Sequence, residues 1–176
     1  MLTFVGCSSS NNTTTNDVEF VDVHAFFTAE VDRLTTERIG VFKRTRMGTE
    51  TQADSNATPN WADELYAFLD LSIKPAVWKT DFAQVTSDEH EEPNETADVY
   101  VSTNPNQKIK TFKLKLDTEG HVQRFSAELI EKGKIATTVT GLSYTKNVGY
   151  TITIERDTKI MGNESYQIVG QLYKTE

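Results

Sequence analysis

A chain of 176 residues with 37% hydrophobic and 25% charged residues is long enough for one domain with a substantial core, and its composition is typical of a folded protein. Its 26 acidic residues outnumber 18 basic ones, so the net charge of -8 argues against nucleic acid, which attracts clustered Lys and Arg. The sequence contains no apolar run of about 18 residues and therefore predicts no transmembrane helix.

The chain opens on a short apolar stretch that ends in Val5 and Gly6 and is followed directly by Cys7. This arrangement resembles the lipobox that closes a bacterial lipoprotein signal peptide, although Phe4 stands where Leu is commonest. The resemblance implies that residues 1–6 are removed and that Cys7 is acylated by several chains, which anchors a protein stably in a membrane. Most of the signal is missing before Cys7, so we expect it to extend upstream of Met1. The alternative is an incidental free cysteine.

A polar run of Ser, Asn and Thr over residues 8–16 follows this cysteine. Since the run contains nothing to bury, it predicts a flexible tether. We therefore expect residues 1–17 to form a residual signal peptide, the lipidated cysteine and a disordered tether, and residues 18–176 to form a single domain. By analogy with lipoprotein sorting, the serines after Cys7 favour the outer membrane. A single cysteine excludes an internal disulfide.

The first predicted element is a helix over 18–38. Its apolar residues recur at spacings of three and four, which places one stripe along a helix. The stripe consists of Phe20, Val23, Phe27, Val31 and Leu34. Asp17 or Asn16 could cap the start of this helix.

A strand and a second helix come next. Gly40 interrupts the helical pattern, and apolar residues that alternate with polar ones from Ile39 predict a strand that reaches toward Thr51. The segment 60–69 again has helical spacing, with Trp61, Leu65, Phe68 and Leu69 on one side. Lys74-Pro75 should end this helix, because the residue before a proline disfavours the helical region.

The rest of the sequence consists of short runs of β-branched and aromatic residues, which are separated by residues that favour turns. The predicted strands cover 80–86, 98–102, 109–116, 122–130, 135–144, 150–156 and 166–173. Short connections indicate an antiparallel meander. The sequence therefore predicts an α+β domain, in which a curved antiparallel sheet of six to eight strands is covered by two helices from the N-terminal half. Whether the sheet forms a half-open barrel stays open.

Two segments carry a resemblance to a family. Trp61 to Glu64, followed by Ile73-Lys74-Pro75-Ala76 and Trp78-Lys79, resembles a small group of uncharacterised lipoproteins from Bacteroidetes-type bacteria. In that group a Trp-containing helix leads into a Lys-Pro-Ala-x-Trp segment, and a meander follows. The resemblance implies location and architecture, and it implies no activity.

Catalytic motifs are missing from the sequence. Its histidines, His24, His90 and His121, are too scattered to indicate zinc, and no nucleophile elbow or phosphate-binding loop is present. The acidic run 88–95 is more typical of a solvated loop than of a calcium site, and the basic run 43–46 is more typical of an exposed strand face. We therefore expect neither enzymatic activity nor a bound metal ion or cofactor.

Four aromatic residues remain as candidates for ligand or partner contact, namely Trp61, Tyr66, Phe68 and Trp78. Apolar pockets between helices and a curved sheet often bind ligands, whereas periodicity favours a core role for the same side chains. Three hypotheses follow for the tethered domain. It acts as an interaction or assembly module for an envelope protein, or it carries a lipid or other apolar ligand between helices and sheet. The third and weakest is an enzyme built from Asp, Glu and Tyr residues that converge in space.

Overall fold

A computed structural model describes residues 21–71, 73, 75–85, 97–159 and 162–175. Cys7, the predicted tether and the acidic run 88–95 lie outside the described residues. The helices are α1 (Val23–Thr36), α2 (Trp61–Glu64), α3 (Tyr66–Leu69) and α4 (Pro75–Asp81). The strands are β1 (Ile39–Met47), β2 (Glu50–Asn56), β3 (Phe82–Val85), β4 (Asp98–Ser102), β5 (Ile109–Leu116), β6 (Val122–Lys132), β7 (Ala136–Thr145), β8 (Gly149–Thr158) and β9 (Gly162–Lys174). None of the described helices has the length and apolar character needed to cross a membrane.

The nine strands form one open antiparallel sheet in the order β2-β1-β9-β8-β7-β6-β5-β4-β3. Strands β3 to β9 follow one another as the predicted meander, and β1 then pairs with β9. The α+β class with an antiparallel sheet is confirmed. The described residues contain nine strands instead of six to eight, and one long helix with three short ones instead of two helices.

Helix α1 begins later than the sequence predicts. The Asp22 side chain accepts a hydrogen bond of 2.9 Å from the Ala25 amide and caps the helix, so the predicted start at residue 18 with a cap from Asp17 or Asn16 is wrong. Val23, Phe27 and Leu34 are buried as the stripe predicts. Glu30 is buried beside them, which the apolar pattern could not indicate.

The second predicted helix is divided into two short helices at Leu65. Pro75, which the sequence predicts only as the end of the second helix, is the first residue of the further helix α4. A proline is well suited to that position, because the first turn of a helix leaves its amide hydrogens unpaired. Helix α4 continues through Asp81, which shortens the strand predicted over 80–86 to Phe82–Val85.

Strand β2 is the strand that the sequence does not predict. The chain reverses at Gly48, which has a φ of 57°, and returns along β1 as β2. Glycine adopts this left-handed conformation without the steric cost of a side chain. The single strand predicted from Ile39 to Thr51 is therefore a hairpin. Arg44 and Arg46 of the basic run are exposed in β1, as predicted.

Candidate functional site

The structure does not bring the four predicted contact residues together. Trp61 is buried, and its indole Nε1 donates a hydrogen bond of 3.0 Å to the carbonyl oxygen of Ile39. Phe68 and Trp78 are also buried, but they belong to two different groups of aromatic rings. Tyr66 is 65% exposed. Three of the four side chains are thus part of the core, and the fourth lies at the surface.

Two clusters of aromatic rings fill the space between the helices and the sheet. The first aromatic cluster contains Phe26, Phe27, Phe68, Phe125, Tyr144 and Tyr150. The second contains Trp78, Phe82, Tyr100 and Phe112. Ring centroids in these clusters approach to 4.6 Å between Trp78 and Phe112 and to 4.9 Å between Phe27 and Phe68. These are packing distances for aromatic pairs, so this part of the interior is filled by side chains.

Two buried tyrosines fasten the helices to the sheet. Tyr144 and Tyr150 are directly paired across β7 and β8, so their side chains lie on the same face. The Tyr144 hydroxyl donates to the carboxylate of Glu30 in α1, and the Tyr150 hydroxyl donates to that of Glu64 in α2. Each carboxylate is also bound by a cation. We call these two contacts the glutamate bridges.

The cations complete the glutamate bridges. Arg33 Nε donates a hydrogen bond of 2.9 Å to Glu30, and Lys43 Nζ lies 2.7 Å from Glu64 Oε1. Burial would raise the pKa of Glu30, but the hydrogen bonds from Arg33 and Tyr144 outweigh it and leave the pKa below its ordinary value. The result is a charged carboxylate that is only 3% exposed.

The tyrosines of the bridges are poor proton acceptors or donors in reactions at neutral pH. Burial, together with the hydrogen bond to Glu30, raises the pKa of Tyr144 far above its ordinary value. Burial and the bond to Glu64 do the same for the pKa of Tyr150. Both phenols therefore stay protonated and act as fixed hydrogen-bond donors, which gives the bridges a structural role.

The described histidines do not form a metal site. His24 Nδ1 lies 2.9 Å from the Leu69 carbonyl oxygen, and His121 lies 3.5 Å from an Asp117 carboxylate oxygen at the exposed turn after β5. Within the described ranges, no group of three His, Cys, Asp or Glu side chains could hold a metal ion. His90 falls outside them.

The outer strand β2 is the most exposed strand of the sheet. All seven of its residues are exposed, and β1 pairs with it from Val41↔Asn56 to Met47↔Glu50 without a register shift. As the terminal strand of the sheet, it has no strand of the described residues along its other side. We call that side the β2 edge. A strand edge offers unpaired amide hydrogens and carbonyl oxygens, so it is a template for another strand.

A row of largely apolar side chains leads across the sheet to the β2 edge. Leu129, Thr140, Ile154, Tyr166 and Met47 are successive cross-strand partners from β6 to β1, so they share one face. The face is the one that bears the helices, since residues two positions along β7 and β8 are the paired Leu142 and Ile152 of the core. Members of this exposed row are only half-buried, and Met47 is 51% exposed.

A shallow pocket lies near the C-terminal end of α1. Leu34, Ile39 and Leu172 supply its apolar lining, and Glu37 and Lys174 supply charges. Its cavity volume is about 120 Å³. Pockets for drug-sized ligands usually enclose about 300–1,000 Å³, so this one is too small for an acyl chain.

No protein-family model, curated protein or solved structure matches the chain. The sequence does not predict the β2 edge because six of the seven residues of β2 are polar and the seventh is Ala53. The signal that could have revealed it is Gly48, which lies between two segments of strand length.

Proposed function

We propose that this protein is a non-catalytic lipoprotein of the bacterial cell envelope, in which Cys7 carries the lipid and the folded domain is an interaction or assembly module. The outer membrane is the proposed location. The β2 edge is the observation that supports the module most strongly, because it allows a strand of a partner protein to extend the sheet.

The residues of β2 favour strand addition over protection of the edge. Proteins usually block an exposed edge with lysine, proline or a bulge. Strand β2 has the sequence Glu-Thr-Gln-Ala-Asp-Ser-Asn, without lysine or proline, and pairs with β1 without a bulge. Its two carboxylates, on Glu50 and Asp54, make it soluble and leave the backbone accessible. The opposite edge strand, β3, has only four residues.

The alternative function is a carrier of an apolar ligand. The exposed row favours it, since Ile154 and Met47 present apolar surface beside the covered core. The aromatic clusters that fill space between the described helices and the sheet support the interaction module instead, and the pocket near the end of α1 is too small for an acyl chain. Native mass spectrometry of protein from a membrane-derived host separates the two functions, because a carrier retains a bound lipid.

Experiments on membranes test both lipid attachment at Cys7 and partner binding at the β2 edge. We expect the wild-type protein to incorporate a palmitate analogue and to sediment with the membrane fraction, whereas Cys7→Ser does neither. Ser9→Ala is the matched control and should behave as wild type. Wild-type protein that stays soluble and unlabelled after export with a lipoprotein signal peptide fused before Cys7 would contradict the anchor. Unchanged partner recovery from detergent-solubilised membranes after Ala53→Pro would contradict a role for the β2 edge.

A further inference from the structure

We propose that the partner at the β2 edge is a second copy of this chain. The two β2 strands pair antiparallel about a twofold axis at Ala53, and two nine-stranded sheets become one continuous sheet. This inference rests on the proposed function, because it uses the same edge and names the partner. Twofold dimers are the commonest assemblies of identical chains, and their interfaces must be self-complementary.

The charges of β2 are self-complementary in this register. With Ala53 opposite Ala53 of the second copy, Glu50 lies opposite Asn56 and Asp54 lies opposite Gln52. Each carboxylate therefore faces an amide that can donate a hydrogen bond to it. All four of these side chains lie on the same face of the strand, because side chains alternate between the faces.

Neighbouring symmetric registers are opposed by charge. If Gln52 lies on the twofold axis, Glu50 is opposite Asp54; if Asp54 lies on it, Asp54 is opposite itself. Like charges directly opposite each other across a strand pair are destabilising. The register at Ala53 avoids this repulsion and uses all seven residues of β2.

The other face of β2 presents no bulky group to a second strand. Its side chains in this register are Thr51, Ala53 and Ser55, all of them small and exposed. Paired strands lie about 4.8 Å apart, and the two Ala53 methyl groups beside the twofold axis add no bulk to this face. The faces of the combined sheet are therefore continuous.

The expected dimer is weak in solution. A single pair of strands covers less surface than the roughly 1,200 Å² of most stable interfaces. Attachment of both copies to one membrane would raise their effective concentration, and a short tether can raise it to about the millimolar range. A weak contact of this kind is therefore suited to a membrane-anchored protein.

Sedimentation equilibrium of the purified full chain tests the second copy directly. We expect a reversible monomer–dimer equilibrium for the wild type. Gln52→Glu places a carboxylate opposite Asp54 twice in each dimer and should weaken dimerisation about two- to thirtyfold, since like charges directly opposite each other destabilise a strand pair. Gln52→Lys places opposite charges there and should strengthen dimerisation by a similar factor.

The matched controls carry the same charge changes away from β2. Gln171 is exposed on β9, so Gln171→Glu and Gln171→Lys should change the dimer dissociation constant less than twofold. Two results would contradict dimerisation through the β2 edge. The wild type stays monomeric at millimolar concentration, or the Gln52 variants change the dimer dissociation constant no more than the Gln171 variants do. A monomer that is nevertheless crosslinked through Ala53 to another envelope protein overturns only this inference. A monomer without any crosslink at Ala53 overturns the proposed function as well.

Discussion

At the residue scale, Glu30 shows how a charge is held inside this protein. An isolated buried carboxylate would be strongly unfavourable, but this one receives hydrogen bonds from the Arg33 guanidinium and from the Tyr144 hydroxyl. The glutamate bridge thereby joins α1 to β7. A second bridge of the same design, from Tyr150 to Glu64, joins α2 to β8.

Removal of the Tyr144 hydroxyl should weaken the fold. Tyr144→Phe retains the ring in the first aromatic cluster but removes the donor to buried Glu30, and we expect a loss of about 1–3 kcal/mol in the free energy of unfolding. Urea denaturation measures this loss. Tyr66→Phe removes the same atom from an exposed ring and should change stability by less than about 0.5 kcal/mol. Equal effects of the two variants would contradict the structural role of the bridge.

The Glu30 bridge also predicts a pH dependence. Because the folded pKa of Glu30 is lowered, its contribution is present above the unfolded pKa of about 4.3 and is lost as the pH falls through the folded value. Wild-type stability should therefore decline more steeply from about pH 5 to pH 3 than that of Glu30→Gln. Urea titrations across this range provide the comparison, and parallel curves would exclude the contribution.

At the scale of elements, the pattern of burial decides what the sequence can predict. Strand β5 has the predicted bounds because Phe112 and Leu114 point into the core between lysines. Strand β2 has no buried side chain at all, so no alternation of apolar and polar residues marks it. The sequence predicts the second helix as one piece because Trp61, Leu65 and Phe68 recur at helical spacing. All three are buried, and their spacing does not reveal the break at Leu65.

The start of α1 provides a test at this scale. Asp22→Ala removes the cap of the Ala25 amide and should cost about 1 kcal/mol in the free energy of unfolding, whereas Asp17→Ala should cost almost nothing. Thermal or urea unfolding of both variants measures the difference. A larger loss for Asp17→Ala would restore the start that the sequence alone predicts.

At the scale of the whole molecule, the two edges of the sheet differ in length and exposure. The edge at β3 is short, whereas the β2 edge is seven residues long and fully exposed. The aromatic candidates predicted from the sequence fill the interior or, in the case of Tyr66, lie apart at the surface. The candidate site could not be predicted from them, because a strand edge binds a partner through backbone amide hydrogens and carbonyl oxygens and needs no aromatic side chain.

The central claim is that a partner joins this protein at the β2 edge, and photocrosslinking in intact cells tests it most directly. A photoreactive amino acid at Ala53 should give a discrete crosslinked product, whereas the same group at Gln171 on β9 should not. A product with twice the 19.8 kDa mass of the chain would identify a second copy, and another mass would identify a different envelope protein. Absence of a product at Ala53, or the same products from both positions, would contradict the claim.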